Sequence, residues 1–220
     1  DGEFFSSSMR NIIGAGGGAV HAIWGTLIIT GLATLISVPI GIMSAIFLVE
    51  YGTTGKAALL ARTIRFFVDV MTGIPSIVAG LFAYTIFSML MGPGTNNGIS
   101  GAAALSVLMI PTVVRSTEEM LRLVPNELRE ASYALGVPKY RTIWRIVLPT
   151  SIGGIVTGVI LGIARVIGET APLLVTAGIT ASMNLNAFAN EMATLPVFVY
   201  YEYTTPGTAP QNYIDRAWAG

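Results

Sequence analysis

Two arginines stand inside otherwise apolar stretches of this sequence. Arg165 has Glu169 four residues on, and Arg115 has Glu119 at the same spacing and Glu118 at three. On a helix, residues three or four apart share a face. An arginine at mid-membrane costs ~2.5–3.5 kcal/mol on insertion scales, so it needs a partner or a purpose. A guanidinium matches phosphate oxygens through parallel N–H bonds. A neighbouring carboxylate would hold it while no anion is bound. The chemistry on offer is a charged gate or anion path. A plainer reading stands beside it. Counted from Ile99, Arg115 lies about 24 Å along its helix, near the cytoplasmic interface, where it would be an ordinary anchor. Arg165 lies about 24 Å from Pro149, counted from the opposite side, and could be a structural salt bridge. The sequence leaves both questions open. Asp69, four residues after Arg65, reads as a local ion pair.

Other chemistries find little support. Cysteine is absent, which excludes disulfides and thiolate metal sites. The lone histidine, His21, reads as a packing or interfacial residue. The run Gly52-Thr53-Thr54-Gly55-Lys56-Ala57 fails as a phosphate-binding loop, because four residues should separate the glycines and Ser or Thr should follow the lysine. Gly14 through Gly18 has no lysine after it. A net charge of zero gives no long-range field for nucleic acid. A membrane-embedded enzyme or a passive scaffold is the remaining alternative class, and the two arginine–glutamate pairs would be the enzyme's only polar set.

The elements that must position these residues are set by lipid. The chain has 220 residues, of which 53% are hydrophobic and only 11% charged. Soluble domains carry about 25% charged residues. A membrane helix needs about 20 mainly apolar residues. Four stretches qualify: 23–49, 70–91, 99–123 and 151–181, the last broken at Pro172. All must be helical, since lone strands leave backbone groups unpaired in lipid. Pro39, Pro75 and Pro111 fall inside spans and are expected to kink them. Gly154, Gly158 and Gly162 form overlapping GxxxG patterns suited to close helix packing. Lys56, Arg62 and Arg65 follow the first span, and Arg122, Arg129, Lys139, Arg141 and Arg145 follow the third. The opposite side offers only Arg10 and Arg216. Both basic loops are therefore cytoplasmic and both termini extracytoplasmic. Residues 1–22 form an outer segment, 23–181 a transmembrane domain, and 182–220 an outer loop with interfacial tyrosines.

The cytoplasmic loop at 125–149 carries a further pattern. Asn126 suits an N-cap. Leu128, Ala131, Ser132 and Leu135 then recur on one helix face, with Glu127, Arg129 and Glu130 on the other. Gly136 ends this helix. Pro138 opens the next, whose stripe is Ile143, Trp144, Val147 and Leu148. A short amphipathic helix beside a bundle either lies on headgroups or docks a soluble partner, and periodicity does not separate the two.

The exact residues do. Glu130-Ala131-Ser132, Gly136 four residues later, and Ile146-Val147-Leu148-Pro149 after nine more resemble the EAA loop of ABC-type importer permeases. Ser132 stands where that pattern has a second alanine. The words Val38-Pro39-Ile40-Gly41, Gly73-Ile74-Pro75-Ser76-Ile77-Val78-Ala79-Gly80, Glu118-Glu119 and Arg165-Val166-Ile167-Gly168-Glu169-Thr170-Ala171-Pro172 resemble the phosphate-importing members, the PstA type. The resemblance implies an all-α polytopic bundle with a MetI-like permease core. Its coupling loop would use Leu128, Glu130, Ala131, Ser132, Leu135, Gly136 and Pro149 to engage an ATPase. Arg165, Glu169, Thr170, Arg115, Glu118 and Glu119 would line the substrate path. The implied partners are a PstC-type permease subunit, a PstB-type ATPase dimer that holds the ATP and Mg, and a PstS-type phosphate-binding protein. The chain itself would hold no cofactor. Its place would be a bacterial cytoplasmic membrane. A permease for sulfate or molybdate is the alternative. The family has six spans and four are found here, so the first would precede Asp1 and the last begin near Trp218, as in a fragment or trimmed chain.

Overall fold

The computed structural model describes residues 2–9, 16–205 and 210–220. Arg10 and Gly14 lie outside them. Ten α-helices are found among the described residues, and no strand. They are α1 (Val20–Ile46), α2 (Gly55–Gly73), α3 (Ser76–Met91), α4 (Gly98–Arg122), α5 (Asn126–Ala134), α6 (Lys139–Thr142), α7 (Leu148–Ile167), α8 (Ala171–Thr176), α9 (Leu195–Thr204) and α10 (Pro210–Ala219). Three helical runs are long and apolar enough to cross a membrane: Val20–Tyr51, Gly98–Arg122 and Lys139–Ile167. A fourth arises if the broken pair α2 and α3 counts as one span.

Apolar run length located these spans well, and of the three prolines expected to kink them only Pro75 breaks its span. The expected span over 70–91 is interrupted at Ile74 and Pro75, leaving α3 only 16 residues long. Pro75 is in an extended conformation (ψ 138°) and caps α3. It has no N–H for the carbonyl of Met71, so the helix stops and restarts. Pro39 and Pro111, in contrast, lie within unbroken α1 and α4. The last span ends at Ile167 rather than at Pro172, which sits in the first turn of α8. That position suits proline, whose missing N–H would have had no acceptor there.

The chain folds as two compact units, whose division falls within α1, α4 and α7. One unit takes residues up to Thr34, Ile74–Val107 and the chain from Arg165 on. Its α4 starts with a side-chain cap: Asn97 Oδ1 accepts the Ser100 N–H at 2.9 Å. Ser100 Oγ in turn donates to the Thr176 carbonyl at 2.9 Å. His21 packs edge-on against Phe198, with ring centroids 5.6 Å apart, as a buried packing residue. The stretch read as an outer loop contains α9 and α10, joined by a buried ion pair between Arg216 and Glu202 at 2.8 Å.

The other unit takes Leu35–Gly73 and Leu108–Ala164. Its core includes Ala45, Ile46, Leu121, Val124, Ile143, Val147 and Ile155. The glycine ladder of α7 faces α4 closely. A Cβ on Gly154 would lie 2.0 Å from Met120 Sδ, and one on Gly158 would lie 2.2 Å from Ser116 Oγ. The small-residue pattern therefore packs α7 against α4, as its spacing predicts.

Candidate functional site

Six charged groups of the second unit gather between α2 and α4. A cavity of about 330 Å³ is lined by Arg65, Asp69, Arg115, Glu118, Glu119 and Arg122, with Leu48 and Val68. Three guanidiniums are balanced there by three carboxylates. The pairing is not the local one read from spacing. Arg65 Nη2 donates to Glu118 Oε1 at 2.9 Å and also to the Leu48 carbonyl at 3.2 Å. Arg122 grips the same Glu118 oxygen at 2.6 Å. Arg115 pairs with Asp69. The expected Arg65–Asp69 pair is thus replaced by two pairs crossing from α2 to α4. Local spacing ranked the i,i+4 partner first, but packing α2 beside α4 brings a better-placed carboxylate to Arg65 and Arg115, while Arg122 keeps its i,i+4 neighbour Glu118.

Arg165 lies in the last turn of α7. Glu169 lies beyond the helix end, its N–H bonded to the Val166 carbonyl at 3.2 Å. The expectation that the two share a helical face fails, because Gly168-Glu169-Thr170 leaves the helix. Thr170 precedes α8 and lines a largely apolar cavity of about 570 Å³ with Ile167, Gly168, Leu195 and Pro196.

The loop at 125–149 folds as two helices, as expected, but with different contacts. Pro125, not Asn126, occupies the cap position of α5. Asn126 Oδ1 instead accepts from Arg129 Nη1 at 3.2 Å. Gly136 closes the helix at φ 74°, a left-handed conformation that costs side-chain-bearing residues dearly. There the Gly136 N–H bonds to the Tyr133 carbonyl at 2.9 Å and the Val137 N–H to the Ser132 carbonyl at 3.2 Å. This is the Schellman arrangement. Of the expected apolar face, only Ser132 is buried, its hydroxyl 2.8 Å from Thr142 Oγ1. Leu128 is 41% exposed and Leu135 83%. Glu130 and Ala131 are exposed too. Pro149 sits one residue into α7. The turn before it, Ile143–Val147, is π-helical. Pro149 offers no N–H to the Arg145 carbonyl, which accounts for the wider turn. The turn also splits the expected stripe: Ile143 and Val147 are buried, while Trp144 is 62% exposed.

Arg129 is the residue that sequence reasoning missed. It was placed on the solvated face, yet its side chain is 12% exposed and pairs with Glu50, itself 5% exposed, at 2.9 Å. Glu50 ends a long uncharged run, in a π-helical turn, Phe47–Tyr51. A carboxylate near a helix C-terminus is disfavoured by the helix dipole and asks for a cation. That signal was present in the sequence. Partial burial and then the Glu50 charge push the nearby Tyr133 phenol above its ordinary value, with Arg129 pulling the other way.

An all-α chain with a broken span and a helical loop between spans fits a transport permease, and comparison with known proteins decides the family. Residues 37–208 match the binding-protein-dependent transport system inner membrane component. The chain belongs to that family of permeases. Relatives within it include the phosphate transport system permease protein PstA 1 of Mycobacterium tuberculosis (strain ATCC 25618 / H37Rv), 50% identical over 205 residues, covering 92% of this chain and 65% of the relative. The phosphate transport system permease protein PstA of Yersinia pestis is 45% identical, covering 94% of this chain and 67% of the relative. The chain thus spans about two thirds of the length of the curated relatives it matches. Among solved structures, an inward-facing MetNI methionine ABC transporter matches with a TM-score of 0.72 at 22% identity, covering 91% of this chain and 86% of that one. This permease therefore has the MetI-like all-α fold and crosses the membrane several times. Its family is one of transport subunits rather than enzymes.

Proposed function

We propose that the chain is the membrane-spanning subunit of an ATP-driven importer of inorganic phosphate in a bacterial cytoplasmic membrane. The observation that carries this is the identity of about half its residues, over nearly all its length, to permeases named for phosphate transport. ATP and Mg would be held by a PstB-type ATPase dimer. The exposed apolar side chains of α5, Leu128 and Leu135, together with Glu130 and Ala131, would seat on that partner, with Gly136 and Ser132 fixing the helix behind them. A PstC-type subunit would complete the pathway, and a PstS-type protein would deliver the anion from outside.

Transport would proceed by alternating access. Closure of the ATPases moves the coupling helices, and the bundle switches between states that contact the anion differently. Arg165, Glu169 and Thr170 would line the path in one unit, and Arg115, Glu118 and Glu119 in the other. Arg115 suits a switching role because its partner Asp69 is a single exposed carboxylate that an anion can displace. The alternative substrate is another oxyanion, sulfate or molybdate.

The test is uptake of labelled phosphate into vesicles holding the full-length parent and its partners, with excess sulfate as competitor. Uptake that requires ATP and ignores sulfate is expected. Loss of uptake to sulfate would assign another oxyanion. ATP hydrolysis without uptake of either would overturn the reading.

A further inference from the structure

Glu50 is held from both ends of the cytoplasmic loop. On its side chain, Arg129 of α5 donates through Nε and Nη2 to Oε1, at 3.1 and 2.9 Å. On its backbone, Lys139 of α6 donates to the Glu50 carbonyl. The same ammonium stands 5.0 Å above the Tyr51 ring. Arg129 spends its remaining donors on the Leu121 carbonyl at 2.9 Å in the last turn of α4, the Val124 carbonyl at 2.6 Å in the connection after it, and Asn126 Oδ1 at 3.2 Å. A helix leaves its last four carbonyls without intrahelical partners. One arginine therefore ties α5 to the ends of α1 and α4 at once.

Stability alone does not explain such a buried pair, since well-packed apolar residues often serve as well or better. What it offers is fixed geometry. The connection from α4 to α5 is only Leu123, Val124 and Pro125, and without the pair α5 could pivot there. Resting on the proposed docking of an ATPase to α5, we infer that Glu50 is a positioning residue: its pair with Arg129 makes α5 and the cytoplasmic end of α1 one strut, so that displacement of α5 is passed to the first span. Lys139 secures the same point from the other side, which keeps the strut from rotating about one bond.

The test uses the full-length complex in vesicles and reads phosphate moved per ATP hydrolysed. Glu50→Gln keeps size and removes charge. It should lower that ratio roughly tenfold, equivalent to ~1.4 kcal/mol of lost coupling, while hydrolysis continues. Glu50→Asp should recover a large part of the ratio. Uptake and hydrolysis falling together, with the ratio unchanged, would reduce the pair to a structural contact and overturn the proposal. A second measurement does not depend on variant folding. These 220 residues have no cysteine, so spin labels at Glu127→Cys, which is exposed on α5 and outside the docking set, and at Met43→Cys, with cysteines elsewhere in the complex replaced, can follow α5 against α1. Their separation should stay the same with and without a non-hydrolysed ATP analogue. A separation that shifts with nucleotide would overturn the strut. Should the unmodified complex show no ATP-dependent uptake, the importer reading fails, and the label separation still decides whether α5 and α1 move together.

Discussion

Arg115 of α4 donates to Asp69 of α2, rather than to the glutamate one turn along its own helix. Both side chains are more than half exposed, at 51% and 61%. An ion pair that open to solvent contributes only ~0–1 kcal/mol. Arg115→Ala and Asp69→Asn should therefore leave the melting temperature of the assembled complex nearly unchanged. Their effects on transport should differ. If Arg115 meets the anion, Arg115→Ala loses roughly 10- to 100-fold in initial uptake rate, matching ~1.5–3 kcal/mol for a charge-assisted hydrogen bond. Asp69→Asn frees the guanidinium and should not reduce the rate. Equal losses would make the pair structural.

The two glycines packed against α4 should respond unequally to alanine. At Gly154 the new methyl meets the flexible thioether of Met120. At Gly158 it meets Ser116, whose Cβ would be 2.5 Å away and has no room to swing. Overpacking costs ~1–3 kcal/mol. Gly158→Ala should approach that upper figure and Gly154→Ala the lower, read as loss of folded protein on heating in detergent.

Gly136→Ala tests the end of α5. An L-residue in the left-handed region costs ~1–2 kcal/mol. Asparagine tolerates the region better, so Gly136→Asn should lie between wild type and alanine. The readout is amide exchange across α5, with faster exchange in the order Ala, Asn, Gly. Equal exchange in all three would mean the turn relaxes at no cost.

Leu135→Asp separates folding from docking. The side chain is 83% exposed, so the isolated permease should melt as wild type does. Recovery of the ATPase subunit on co-purification should drop sharply. Unchanged recovery would remove Leu135 from the docking surface.

The fold was legible where one physical quantity dominates. Apolar run length placed α1, α4 and α7 because lipid thickness sets that length. Pro75, expected to kink its span, breaks it, because the backbone loses a hydrogen bond there, whereas Pro39 and Pro111 lie in unbroken helices. The two helices α5 and α6 were legible from Gly136 and Pro138, whose backbone demands are local. The ion pairs were not, because spacing ranks only partners on the same helix. Glu118 is held by Arg65 from another helix, and Glu50 by Arg129, 79 residues away. The helices α9 and α10 escaped notice for a related reason. Their buried charges Glu202 and Arg216 look like loop residues until they are seen to neutralise one another.

The π-helical turn at Ile143–Val147 has one more residue than the ladder on either side strictly needs. Each residue advances an α-helix by about 100°. The extra residue therefore sets the rotational phase of α7 relative to the segment before it. Deleting one residue there would spare every side chain downstream yet turn Gly154 and Gly158 away from α4 by about that angle. The permease would keep its composition, its hydrophobic length and its glycine spacing, and lose the seam that those glycines close. Length variation between homologues at this turn should accordingly be rare, whereas substitution on its outward side should be common.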